Sequence, residues 1–544
     1  MTSSLVYFNF LATISVLLIP ALVSLMYFAS AEKSFPYYSQ ERGAYLFVLI
    51  CLAAAFLLNL KGYVFTNLPL ISNTVGQAAL PMTNYLVPML VLDPLSSVSR
   101  SIILLAAFVG VLFSFTYHKL VRYNAFEFSF YILLSTAAML VFVSSSNAVL
   151  TYVSIELQSL SFYLMAASSR RSVHSVEAGL KYLFIGSLAS GFLLLSFIYL
   201  YLATGSLNFY EMGLDSFFSW QNSAPHQYFF DQELSAEHIR VATYFFILAM
   251  LVKMAAGPFH LWSVDVYDGS PTAATGFFLL VPKISALVML FRFTHDAFLW
   301  EGENGLSLVY VFSFVVAATF LFGYNGMMSK HISLKRFFTF SAIGNLGFLL
   351  LPNTNVIERG FSSAVSGDAG IYSLFMYLLP YTLLTIPSLA FVLSFTVRNS
   401  FSNRREHYVL SNLPQQYHLQ NPAHALLFFF LVIILIGLPP TAGFFMKLFP
   451  LISYTSSGYG WITFIVWASL LISAYVYADL IVRLFFISPN LWEVESWRET
   501  NTGFKQYPIL LLSSVVIIYL SFYVGQGDLF EMVTVLSHPF SSSH

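Results

Sequence analysis

LVKMAAGPFHLWSVDVYDGSPTAATGFFLLVPKIS, residues 251–285, decides what this chain can fold into. An apolar run carries Lys253 and meets a Gly-Pro break at Gly257 and Pro258. The residues from Phe259 to Gly269 read as a short aromatic and acidic turn. A second apolar run starts near Pro271 and carries Lys283 beside Pro282. Both lysines therefore fall inside segments that hydrocarbon should surround. A lysine at mid-bilayer costs about 2.5–3.5 kcal/mol on insertion scales. A chain that accepts this twice, next to a helix break, has a use for the charge.

The rest of the chain explains why hydrocarbon is the right solvent. Of 544 residues, 58% are hydrophobic and only 9% are charged, where a soluble domain carries roughly 25% charged residues. The predicted class is an all-α polytopic membrane protein. Tyr, Phe and Trp are abundant, as suits interfacial belts. The formal net charge of −1 implies no nucleic-acid partner. The only cysteine is Cys51, which excludes an intrachain disulfide, a cysteine-ligated iron–sulfur cluster and a multi-cysteine zinc site. The 12 histidines form no H-x-x-x-H or H-E-x-x-H pattern, so no metal site is proposed. Neither dinucleotide nor nucleotide-phosphate fingerprints occur.

A span takes about 20 mostly apolar residues. Fourteen are predicted, near 5–29, 44–60, 100–116, 126–144, 147–168, 176–201, 240–258, 271–293, 306–324, 335–351, 371–397, 425–451, 460–488 and 507–526. No A-x-A cleavage site follows the first run, which reads as a retained helix rather than a signal peptide. Alternating the loops tests the count. One side collects fourteen lysines and arginines, among them Lys119, Arg170, Arg171, Arg336 and Arg405. The other collects Lys61 and Arg359, with Arg100, Arg240 and Arg292 at helix ends. The basic side is expected in the cytoplasm or matrix, with both termini outside. Two long loops, 202–239 and 398–423, lie on opposite sides. The 61–99 connection has room for a hairpin or re-entrant piece.

A second break echoes the first. GLPPTAGFFMK places Gly437, Pro439, Pro440 and Gly443 before Lys447. Five spans separate the breaks, and an odd number inverts one relative to the other. Paired broken helices in inverted halves mark secondary transporters. Proline removes a backbone donor, and a carbonyl freed at membrane depth needs water or a polar partner.

Several ionisable groups are placed to use such gaps. Glu156 sits near the middle of its span and must be protonated, paired or hydrated. Desolvation works against a lysine's charged form and a nearby carboxylate works for it. Lys253 or Lys283, held between those effects, can load and release a proton; the alternative is a static ion pair. Lys447 lies nearer the end of its run, where snorkelling competes. Lys181 has Glu177 at i−4 and reads first as a local pair near the interface. Asp479 and Arg483 repeat that spacing. Ser341 and Asn345 are candidates for lining a polar path. His260 and Trp262, beside the first break, read as structural.

Taken in order, these stretches resemble a known family. IELQSLSFYLMAAS, SVEAGLKYLFIGSLASG, KMAAGPFHLWSVDVYDGSPT, PKISA, SLKRFFTFSAIGNLGFLLL and GLPPTAGFFMK are similar to the antiporter-like membrane subunits of proton-pumping NADH:quinone oxidoreductase, respiratory complex I. The DVYDGSP turn and the final lysine resemble the subunit 2 group. The likeness runs from about 120 to 490. It implies fourteen helices with two inverted five-helix repeats, broken at helices 7 and 12. The implied divisions are 1–125, 126–293, 306–488 and 489–544. The family's proton-transfer residues fall on Glu156, Lys253, Lys283 and Lys447. Where the family often has histidine, this chain has Asn345, which does not take up a proton near neutrality. The resemblance also implies that NADH, FMN, iron–sulfur clusters and ubiquinone bind other subunits, with no cofactor on this chain. Expected partners are membrane-arm subunits and lipids, in the mitochondrial inner membrane or a bacterial plasma membrane. The alternatives are a subunit of a multisubunit cation/proton antiporter and a membrane scaffold that pumps nothing.

Overall fold

A computed structural model describes residues 2–31, 37–67, 89–121, 126–170, 172–212, 232–296, 305–329, 333–359, 373–385, 387–388, 391, 422–439, 441–455 and 460–486. Fifteen helices are named here: α1 (Thr2–Ala31), α2 (Tyr37–Asn67), α3 (Pro94–Val121), α4 (Phe126–Ser144), α5 (Ala148–Ala166), α6 (Val173–Thr204), α7 (Gln232–Met254), α8 (Leu261–Gly269), α9 (Thr272–Asp296), α10 (Gly305–Met327), α11 (Leu334–Arg359), α12 (Ser373–Thr385), α13 (Pro422–Ile436), α14 (Ala442–Thr455) and α15 (Gly460–Phe485). Two isolated β bridges pair described residues, Leu90 with Ser145 and Asn147 with Asn208. Ten helices are long and apolar enough to cross a bilayer. The all-helical membrane class is therefore correct. The predicted span at 507–526 and much of that at 371–397 lie outside the described residues, as does the 398–423 loop.

Local sequence explains where the helices start and stop. Pro94 opens α3, where its missing N–H is one of the orphan donors anyway. Asn147 caps α5 by accepting the Val149 N–H at 2.9 Å. Gly205 ends α6 in the left-handed region at φ 72, a conformation that glycine adopts without cost.

The chain forms two compact units. The first holds residues 1–118, 122–254 and 269–305. Within it α6 packs along α7, and α4 lies against α1, α2 and α5. Helix α9 fills the middle and touches α4, α5 and α7. Its side chains, among them Phe277, Leu287 and Phe293, have essentially no exposed surface. Phe277 lies over Gly110 of α3, where a Cβ would come within 2.8 Å of the ring. The second unit holds 119–121, 255–268 and 306–544. There α11 packs on α14, and α13 on α14 and α15.

One element departs from the sequence reading. Residues 261–269 form helix α8 rather than a turn. Trp262, Val266 and Tyr267 are buried, and their spacing matches one face of a helix. Asp268 is anchored at the start of α11: Arg336 Nε donates to it at 2.8 Å, and Ser333, the residue before the helix, donates to it at 2.9 Å. The nine-residue length of α8 and the interspersed Asp265 and Asp268 hid that face.

Candidate functional site

In the first unit, α5 and α7 bring Glu156 and Lys253 together. Lys253 occupies the last turn of α7, at the negative end of the helix dipole, where a cation is favoured. Its Nζ lies 3.9 Å from Glu156 Oε1. The lysine side chain is 12% exposed and the glutamate 29%. Neither of these two atoms completes a hydrogen bond within the protein. The pair is thus close enough to interact by charge but is not locked by a direct bond. Two unit charges about 4 Å apart interact by about 4 kcal/mol at an effective dielectric of 20.

Lys283 lies on α9 and is 4% exposed. Pro282 precedes it inside the helix, so one main-chain donor is missing beside the lysine. The structure buries Lys283 in the unit that holds the Glu156–Lys253 pair.

Lys447 does something different. It projects from α14 in the second unit and donates to the carbonyls of Leu435 at 2.7 Å and Ile436 at 3.0 Å. These belong to the end of α13, where the last carbonyls have no helical partner. Gly437 makes the turn at φ 84, and its N–H donates to the Ile433 carbonyl at 3.1 Å. The lysine is 4% exposed, so it does not snorkel out of the unit. Gly443 permits this approach, because a Cβ there would collide with the Ile434 carbonyl. Pro439 lies in the turn and is exposed; Pro440 lies outside the described residues.

The first break has its own constraint. Ala255 adopts φ 59, which costs a non-glycine residue about 1–2 kcal/mol. Gly257 lies against the backbone of Ala318 and Thr319 on α10, where a Cβ would come within 2.8 Å. Pro258 is exposed. His260 is 4% exposed and its ring stacks on Phe322 at 5.0 Å, in keeping with a packing role.

On α11, Ser341 and Asn345 meet a set of buried tyrosines. The Ser341 and Tyr477 hydroxyls are 2.5 Å apart, and Tyr377 donates to Asn345 Oδ1 at 3.0 Å. None of these tyrosines stands out in the sequence, because the chain has 33. The available signal was depth: Tyr324, Tyr377 and Tyr477 fall within apolar runs, where a hydroxyl needs a partner. Lys181 pairs with Glu177 at 2.9 Å, both substantially exposed. Arg483 pairs with Asp479 at 2.6 Å. A further ion pair, Arg292 with Asp93 at 3.3 Å, was not anticipated; its partners lie 199 positions apart.

An all-helical membrane chain with two interrupted helices and lysines buried beside or near them has features shared with secondary transporters. Comparison narrows this. The transmembrane family described as NADH:quinone oxidoreductase/Mrp antiporter matches residues 145–473. The NADH-ubiquinone oxidoreductase chain 2 of Oenothera berteroana is 31% identical over 77% of this chain and 78% of its own length. Two solved structures share the fold. A chain of respiratory complex I from Thermus thermophilus with bound aureothin has TM-score 0.68 and 23% identity, covering 95% of this chain and 98% of that one. A chain of the Mrp complex from Dietzia sp. has TM-score 0.73 and 18% identity, covering 98% of each. The chain belongs to the antiporter-like membrane subunits of the NADH:quinone oxidoreductase/Mrp antiporter family, on the complex I branch.

Proposed function

We propose that this chain is a proton-translocating membrane-arm subunit of complex I. The observation that carries the reading is the Glu156–Lys253 pair, held at 3.9 Å inside the helical bundle without a direct hydrogen bond. Because the contact is purely electrostatic, a change of charge on either side changes the proton affinity of the other. Moving one charge against a membrane potential costs about 2.3 kcal/mol per 100 mV. A coupling of about 4 kcal/mol is therefore of the size that a respiratory potential demands.

In this reading a change arriving from a neighbouring subunit alters Glu156. Lys253 then exchanges a proton by way of Lys283 with Lys447, and water completes the route. NADH oxidation and ubiquinone reduction, with FMN and iron–sulfur clusters, belong to other subunits. The membrane is the mitochondrial inner membrane, with a bacterial plasma membrane as the alternative, and the basic loops face the matrix or cytoplasm.

Lys253→Met in the assembled complex tests this. Methionine keeps the length and removes the charge. Protons moved per electron should fall in vesicles while assembly on a native gel is unchanged. An unaltered ratio in fully assembled complex would reduce the chain to a scaffold.

A further inference from the structure

The second unit contains a polar string that the lysines do not explain. It is built from α10, α11, α12 and α15. Tyr377 on α12 donates to Asn345 on α11 at 3.0 Å. The Tyr477 hydroxyl on α15 is 2.5 Å from the hydroxyl of Ser341, which lies one helical turn before Asn345 on α11. Two hydrogen-bonded pairs from three helices thus lie one turn apart on α11. Each of the four is at most 4% exposed.

Two further tyrosines flank the string. Tyr381 stacks on Tyr377 with ring centres 5.9 Å apart. The Tyr324 ring lies across α11 at Gly344, where a Cβ would come within 2.8 Å of it. Both are nearly fully buried, at 3% and 1% exposure. The Tyr381 hydroxyl has no hydrogen-bond partner among the described residues. The Tyr324 hydroxyl approaches Ser473 without completing a well-formed bond; Ser473 donates its proton to the Leu470 carbonyl at 2.7 Å. A buried hydroxyl left unsatisfied costs about 1–3 kcal/mol. Phenylalanine would fill the same space without that cost. Two such hydroxyls beside a linked polar string mark a place where internal water is held.

We infer that Tyr324, Tyr377, Tyr381 and Tyr477, with Ser341, form a hydroxyl-and-water proton wire in the second unit, oriented by Asn345. The inference rests on the pumping function proposed above and names the path for it. A hydroxyl both donates and accepts. Each oxygen takes a proton from one neighbour and gives its own to the next. No bond to carbon changes, and no tyrosinate is left behind. Asn345 cannot hop a proton in this way, because its donor and acceptor are different atoms. The step past it takes a water, for which the Tyr324 and Tyr381 hydroxyls are the anchors. Helix α11, which carries Ser341 and Asn345, is also the helix packed against α14, the bearer of Lys447.

The test uses the assembled complex in sealed vesicles and compares Tyr477→Phe, the Tyr324→Phe/Tyr381→Phe double variant and Lys253→Met. The wire predicts that the tyrosine variants lose coupled turnover by about tenfold or more, the low side of what a missing proton-transfer group costs. It also predicts a changed H₂O/D₂O rate ratio, with the thermal stability of the Tyr324→Phe/Tyr381→Phe variant equal to wild type or higher. A purely structural role would move stability and leave the isotope ratio alone. If Tyr477→Phe fails to assemble, the double variant decides, since it removes only hydroxyls that complete no protein bond. Normal pumping and a normal isotope ratio in the tyrosine variants, with pumping lost in Lys253→Met, would overturn the wire and leave the pump standing. Normal pumping in all three would overturn both.

Discussion

At the scale of single residues, the two breaks use lysine in different ways. Lys253 faces a carboxylate at 3.9 Å without bonding to it, whereas Lys447 is bonded to two helix-end carbonyls. The first arrangement responds to a partner's charge; the second holds a helix end together. Glu156→Gln keeps the size of the side chain and removes its charge. It should slow coupled turnover by about tenfold or more, given an interaction of about 4 kcal/mol at this separation. The decisive measurement is a double-mutant cycle with Lys253→Met. If the two groups act as one unit, the double variant is no slower than Lys253→Met alone, and the coupling energy is about 0.5–3 kcal/mol. Additive losses would mean that the two residues act in separate steps. All four titratable candidates were visible in the sequence, because a charge in an apolar run is conspicuous. Their partners were less so. Nothing in the letters says that Lys447 caps α13, since that depends on α14 turning back at Gly437.

At the scale of elements, glycine decides whether the broken helices can close on their neighbours. Helix α14 passes so near the end of α13 that a Cβ on Gly443 would overlap the Ile434 carbonyl. Gly443→Ala must push the two helices apart and weaken the Lys447 bonds, at a cost of about 1–3 kcal/mol. Gly191 on α6 is the control, with nothing near its Cβ position; alanine there should be neutral or stabilising by about 0.5–1 kcal/mol. Thermal unfolding of the purified complex should show a lower Tm for Gly443→Ala and none for Gly191→Ala. Equal behaviour of the two would show that the close crossing has no energetic weight. Both breaks were legible from Gly and Pro inside apolar runs. Helix α8 was not. Its nine residues mix buried Trp262, Val266 and Tyr267 with Asp265 and Asp268, and what stabilises it is a set of bonds to α11, far away in sequence.

At the scale of the whole molecule, composition alone settled the solvent, and the order of the quoted stretches settled the family. What remained hidden was the tyrosine cluster. Periodicity reports which face of a helix is apolar, and an aromatic ring with a hydroxyl reads as apolar by that measure. Only the packing of α10, α11, α12 and α15 reveals four such rings around Ser341 and Asn345. The fold does not separate a redox-driven pump from an ion antiporter, since it is shared with chains of both kinds of complex. The separation must come from what travels with the chain. The only cysteine in the sequence, Cys51, is buried, and one thiol cannot hold a cysteine-ligated iron–sulfur cluster, so the proposed clusters would reside on other subunits. Affinity purification of this chain under mild detergent should therefore recover flavin absorbance and iron–sulfur signals, and NADH should drive proton movement when the complex is returned to vesicles. Transport should not depend on sodium. Recovery of a colourless complex that exchanges sodium for protons without NADH would overturn the proposed pump and leave the Glu156–Lys253 pair serving ion exchange.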